Sequence, residues 1–319
     1  ENIYEPDSDF LLWQKYKGHE IMENTRKCKI RQLKRVLERF GDTKIKDLKT
    51  IDFDKWLLKS SYSVYNKNLI ISVINEIYKS LYRDEILSNI FRLDAYGYPR
   101  ISKKGILTLD EIKQLFPDDY HQLVQIWQTG KMTEFESYQF AVMVYLILTT
   151  GMRVGEVSAL KWDQFIQQDV ILINSMIDTN KERVDHLKKG NDINKKWRIT
   201  ILPGRTVNML NTLHLMKIEN TTDYVFEYEN NYVNSQYVLR HLHNALEKNN
   251  IDWKTRNLTT HSLRFTYNTL MKNLIDNKQL RLLMGHERED MTNYYDRSTA
   301  LDNVPLLLQN KGTIDSVFN

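Results

Sequence analysis

The sequence predicts a mainly α-helical protein: a small all-helical domain first, then a larger, mostly helical domain that carries a small antiparallel β-sheet. Three observations predict this. Apolar residues recur at helical spacing along most of the chain. The stretch DAYGYPRISKKG, Asp94 to Gly105, breaks that pattern with Gly97, Pro99 and Gly105. Between Val170 and Leu202 the apolar period shortens to that of strands.

Residues 20 to 40 read as an amphipathic helix, with Ile30, Leu33, Val36, Leu37 and Phe40 on one face and Gly41 as a stop. The other face carries Arg26, Lys27, Lys29, Arg31, Lys34, Arg35 and Arg39. A shorter helix is expected over Phe53 to Lys59, and a longer one over Ser63 to Tyr82 with Leu69, Val73, Ile77 and Leu81 as its stripe. These elements make a first domain over 1–95, followed by a linker over 96–105 whose basic residues include Lys103 and Lys104. The remainder, 106–319, forms the second domain. LTLDEIKQLF opens it as a helix, with Thr108 or Asp110 at its cap. Helices continue to Phe165, except for a looser stretch from Pro117 to Lys131. Val170 to Ile177 and Trp197 to Leu202 are the expected strands, separated by a segment rich in Lys, Asn and Asp. Helical patterns return at Arg205 to Lys217, Ser235 to Lys248 and His261 to Ile275.

Composition narrows the classes. At 319 residues the length suits about two domains. Hydrophobic residues at 41% and charged residues at 27% are an ordinary globular balance. A net charge of +4 is mildly basic, so the distribution of charge matters more than its sum. The single cysteine, Cys28, rules out a disulfide framework within the chain and fits a reducing cytoplasm. The longest apolar run, Phe140 to Leu148, is far short of the ~20 residues a membrane span needs. No metal-ligand spacing is visible: His241 and His243 stand two apart on a helix and point to different faces.

The chemistry concentrates in three segments: TTGMRVGEVSALKWDQF, THSLRFTYNTL and LMGHEREDMTNYYDRS. They set Arg153, His261, Arg264 and His286 in order, followed by Tyr294 and Tyr295. A phosphodiester is an anion, and its transition state gathers further charge on the non-bridging oxygens. Arg holds such charge with a planar fork that stays protonated. Tyr, with a reference pKa of about 10, has only about one part in a thousand ionised at neutral pH, so it needs a base or a positive field to attack. Two guanidiniums beside an aromatic nucleophile are what metal-free phosphoryl transfer requires.

These segments resemble the signatures of the tyrosine recombinase (phage integrase) family. Its first signature, Thr-Gly-x-Arg-x-x-Glu then Leu-x-Trp-x-Asp, is matched by Thr150, Gly151, Arg153, Glu156, Leu160, Trp162 and Asp163. His261 and Arg264 match His-x-x-Arg, and Leu283, Gly285 and His286 match Leu-x-Gly-His. The family's nucleophile position, nine residues after that His, is Tyr295, with Tyr294 as its neighbour and rival. Phe265 departs from the second His often found after the Arg. The family also places a Lys just before a hairpin turn. Lys189, ahead of Gly190 and Asn191, is the choice here, with Lys188, Lys195 and Lys196 as alternatives.

The resemblance implies a helical core-binding domain ahead of a catalytic domain with the tyrosine recombinase fold. It implies that Tyr295 attacks the scissile phosphate to give a 3′-phosphotyrosyl link, while Arg153 and Arg264 clamp the oxygens. It gives Lys189 the protonation of the leaving 5′ hydroxyl, His261 proton transfer at the nucleophile, His286 a hydrogen bond to phosphate, and Glu156 a supporting role. No cofactor and no metal are implied. The implied partners are double-stranded DNA recombination sites, a homo-tetramer assembled on them, and accessory DNA-bending or directionality proteins, without a membrane and in a bacterial cytoplasm. Integration or excision of a mobile element or prophage is the expected biology. A type IB topoisomerase and a catalytically silent DNA-binding accessory protein on the same fold are the alternatives. Beside such a domain, Arg26, Lys27, Lys34, Arg35, Lys103 and Lys104 are expected to meet phosphate. The apolar tail over 300–319, with Val304, Leu306, Leu307, Ile314, Val317 and Phe318, is expected to oligomerise by crossing to a neighbouring protomer.

Overall fold

The computed structural model describes residues 23–41, 43, 47–85, 87–88, 92–97, 105–187, 197–217, 222–285 and 304–318. The chain divides into two compact units, Glu1–Ser102 and Lys103–Asn319.

The first unit contains α1 (Glu23–Phe40), α2 (Thr50–Lys59) and α3 (Val64–Arg83). The stripe expected on α3 is only part of its apolar surface. Val73, Ile77 and Leu81 meet Leu33 and Leu37 of α1. A second row, Ile70, Ile71, Ile74 and Tyr78, packs with Val36, Phe53 and Leu57. A helix buried on two sides needs two stripes, and α3 is that helix. Phe40 lies 4.9 Å from Phe53 and edge-on to Trp56 at 5.5 Å, closing the α1–α2 corner with aromatic contacts. Asn75 and Asn68 each exchange a pair of hydrogen bonds with the backbone of Leu93 and Tyr96 respectively. These amides do for the extended exit segment what a neighbouring strand would do.

The second unit is built around α6 (Glu134–Thr150), in which every residue from Ser137 to Thr150 is buried. Thr133 and Glu136 form a capping box at its start. It is apolar on all sides because α5 (Tyr120–Trp127), α8 (Gly204–Met216) and α10 (Thr260–Met271) surround it. The opening helix α4 (Leu109–Leu115) takes Thr108 as its cap. The stretch from Pro117 to Lys131 is not uniformly loose, since α5 lies within it. Asp119 caps that helix by accepting from the Gln122 amide at 2.8 Å, and the Trp127 indole donates to the Leu115 carbonyl at 2.9 Å. With eight residues, α5 is too short for apolar periodicity to announce it.

The sheet is antiparallel, in the order β1 (Phe165–Gln167), β2 (Val170–Ile173), β5 (Arg198–Ile201). Val170 stands opposite Ile201, and Ile173 opposite Arg198. The single strand expected over Val170 to Ile177 is divided. Its end forms β3 (Met176–Ile177), which pairs separately with β4 (Arg183–Val184). At the break the Gln164 amide donates to the Leu172 carbonyl and the Asn174 side chain, so side chains replace the ladder. A further hairpin, β6 (Glu227–Tyr228) and β7 (Asn231–Tyr232), precedes α9 (Ser235–Lys248). Downstream of α10 lie α11 (Asn277–Met284), α12 (Val304–Leu308) and α13 (Lys311–Phe318). No helix among the described residues is long and apolar enough to cross a membrane.

Within the single chain α12 and α13 are seated on the second unit. Leu307, Ile314 and Phe318 are buried in its core. The Tyr145 hydroxyl donates to the Phe318 carbonyl at 2.5 Å, and Lys311 donates to the Leu202 carbonyl at 3.0 Å. Pro203 offers α8 no side-chain cap, and Asp315 supplies one by accepting from the Gly204 amide at 2.7 Å.

Candidate active site

Gly151 ends α6 in the left-handed conformation (φ 63°), and a Cβ there would lie 2.8 Å from the Tyr267 ring. That turn delivers Arg153 to the N-cap of α7 (Val154–Ser158). Arg153 donates through its backbone amide to Glu156 Oε2 at 2.8 Å and through Nη1 to Oε1 at 2.9 Å. The Glu156 side chain is fully buried, whereas the Arg153 side chain keeps 29% exposure. The paired residues of the first signature are therefore one unit: a buried carboxylate orients a guanidinium that reaches solvent. The other signature residues divide. Leu160 is fully buried, Trp162 packs on His214 and Phe165, and Asp163 is exposed.

Arg264, on α10, is 4% exposed. Its Nη1 donates to the Gly151 carbonyl and its Nη2 to the Met284 carbonyl. It joins the C-terminal end of α6 to that of α11, where carbonyls carry the negative end of each helix dipole. Each Nη retains a second N–H for a phosphate oxygen. His261, three residues earlier on the same helix, is exposed, with its ring edge-on to Phe265 at 4.9 Å.

Arg198 was not singled out by the sequence reading. It is 6% exposed on β5, donates from Nη2 to Glu156 Oε2 at 2.6 Å and from Nη1 to the Leu283 carbonyl at 2.6 Å. The signal available was a charged residue inside the apolar run WRITIL. Gly285 follows in the left-handed conformation (φ 62°), and a Cβ there would stand 2.5 Å from Arg198 Cδ. The glycine before His286 is thus required by its backbone angle and by the arginine beside it.

Three guanidiniums surround one carboxylate, a surplus of positive charge. Burial pushes the Glu156 carboxyl up, but Arg198 and Arg153 outweigh it and hold the group below the ordinary carboxylate range. Burial, then the nearby Arg198 and Arg153, push Arg264 down to about 9, so it remains charged at neutral pH. An approaching phosphate would relieve that repulsion.

His286, Tyr294, Tyr295, Lys103, Lys104, Lys188, Lys189, Lys195 and Lys196 lie outside the described residues. In the first unit Lys27 and Lys34 are exposed, and Arg26 and Arg35 half-buried. Arg35 stacks over the Tyr62 ring at 4.7 Å and donates to Gln32. Lys29 turns inward to pair with Glu76.

The fold is that of a tyrosine recombinase. The chain belongs to the phage integrase family, whose model matches residues 113–301, more than half of its length. A comparison with curated protein sequences gave no match. Among solved structures, the integrase of the Tn1549 transposon, in complex with transposon right end DNA, is similar at TM-score 0.65 and 18% identity, covering 95% of this chain and 98% of that one. A λ integrase dimer bound to a core site is similar at TM-score 0.61 and 16% identity, covering 90% and 96%. The XerH site-specific recombinase, bound to its palindromic difH substrate, is similar at TM-score 0.60 and 12% identity, covering 82% and 73%.

Proposed function

We propose that this chain is a site-specific recombinase that cuts and rejoins DNA through a 3′-phosphotyrosyl intermediate, integrating or excising a mobile element. The observation that carries this reading is the surplus of positive charge around Glu156, with Arg153 presented from it to solvent. Family membership and the likeness to a transposon integrase support it.

In this mechanism Tyr295 attacks the scissile phosphorus. Its Oη forms the new bond to phosphorus as the 5′ oxygen leaves, and the phosphodiester energy is kept in the phosphotyrosyl bond. Arg153 and the free N–H groups of Arg264 receive the charge that develops on the non-bridging oxygens. Lys189 protonates the leaving oxygen, His261 accepts the tyrosine proton, and His286 donates to the phosphate. Glu156 holds Arg153 in place and does not itself react. Rejoining reverses these steps with a partner 5′ hydroxyl, in a tetramer on two DNA sites. The first unit grips the duplex by the basic face of α1. Neutralising Lys27, Lys34 and Arg35 together is expected to flatten the slope of log affinity against log salt by up to ~0.9 per lost phosphate contact. An unchanged slope in a titration from low to moderate salt would place those residues in solvent.

The decisive experiment is incubation of the protein with a nicked suicide duplex carrying its cognate site, identified by selection from a random or flanking-sequence library. A covalent protein–DNA adduct on the 3′ side of the cut is expected. No adduct on any selected site would leave only a DNA-binding protein on this fold. Relaxation of supercoiled DNA without exchange between two sites would indicate a topoisomerase.

A further inference from the structure

We propose that Arg198 is a positioning residue for DNA cleavage, holding the Arg153–Glu156 pair and the C-terminal end of α11 in one register. The proposal rests on the recombinase reading above.

Arg198 touches two parts of the site at once. Nη2 takes Glu156 Oε2, whose partner oxygen Oε1 holds Arg153 Nη1. Nη1 takes the carbonyl of Leu283, two residues before the Gly285 that leads into His286. The two acceptors lie in different directions, and only a planar fork spans both. A lysine, as a single point charge, could satisfy one of them. The strand fixes where this fork stands. Arg198 opens β5 opposite Ile173, so one residue on the sheet connects the α7 arginine and the α11 terminus.

Stability alone does not explain an arginine here. All four positions of β5 are buried, and a buried ion pair is often matched or bettered by apolar residues of similar volume. The surroundings are also fitted to the arginine. Gly285 leaves room for its Cδ and Nε, which a Cβ would meet at 2.5 and 2.8 Å. Nε itself is buried without a hydrogen-bond acceptor among the described residues, and it lies beside Gly285. A buried donor without a partner is costly where it serves nothing. Here it lies beside the glycine that precedes His286 in the chain.

The test compares wild type, R198K, R198M, E156Q and the R198M/E156Q double variant. Single-turnover cleavage of the suicide duplex and DNA affinity are measured below the melting temperature of each. R198M is expected to cleave about 100-fold more slowly with affinity changed less than about 3-fold, and R198K to recover about 10-fold of that loss. The double variant is expected to be no slower than its slower single parent, because both act through Arg153. If R198M does not fold, R198K carries the test, with about 10-fold slower cleavage at unchanged affinity and melting. R198K cleaving at the wild-type rate, or losses in the double variant that multiply, would overturn the proposal. A wild type that forms no adduct would instead remove the recombinase reading on which it rests.

Discussion

Tyr295→Phe is expected to abolish the covalent DNA adduct, while Tyr294→Phe retains it. Removing the attacking oxygen leaves no route to a phosphotyrosyl bond, so the loss is complete within the sensitivity of a denaturing gel. DNA affinity should be nearly unchanged, because the proposed phosphate contacts are spread over both units. The contrast between adjacent tyrosines is the sharpest available test of the site. It asks whether the residue nine positions after His286 is the one presented to the Arg153 and Arg264 guanidiniums. An adduct that survives in Tyr295→Phe and disappears in Tyr294→Phe would transfer the nucleophile to Tyr294.

The largest effect on stability is expected from Glu156→Gln. The Glu156 side chain is fully buried and faces Arg198 and Arg153, so neutralising it leaves Arg198 as a buried charge without its counter-ion. Breaking a buried pair in this way costs ~3–5 kcal/mol. Urea unfolding of the second unit should show the loss. Its pH dependence has a definite sign. The carboxyl is held below its ordinary value of 4.5, so the unfolded chain takes up the proton first as pH falls. The stabilisation is therefore present in full above that value and is lost as pH drops through the folded one. Wild type should lose its advantage over the Gln variant below about pH 4.5, whereas a difference independent of pH would show that the carboxylate's charge is not what stabilises the site.

The longer helices, α1, α3 and α10 among them, were legible because their signals are local. The apolar spacing of α1 and the chain break after α3 are properties of neighbouring residues. So is the spacing of His261 from Arg264. The short helix α5 and the division of the second strand were not legible. Their determinants are the Asp119 cap, the buried Trp127 and the Gln164 bridge, each of which acts only once other elements are in place. The apolar tail announced that it had to be covered, but nothing in its own residues said by what. Tyr145, Gly204 and Leu202 cover it from 173, 111 and 109 positions away.

The sequence by itself determined the chemical inventory of this protein and its order along the chain. Two arginines, two histidines, a glutamate and a tyrosine stand in a pattern specific enough to predict a recombinase site. Only the tertiary structure decided how the described charges share partners. Glu156 serves Arg153 three residues away and Arg198 across 42, while Arg264 ties Gly151, 113 positions distant, to Met284. The physical reason is the range of the interactions. Helix periodicity and capping act over a turn, whereas the placement of a buried charge depends on which distant groups the fold brings within hydrogen-bond reach. Arg198 reads in sequence as an irregularity in a strand, and in the folded chain it is where Glu156 and the end of α11 meet the sheet.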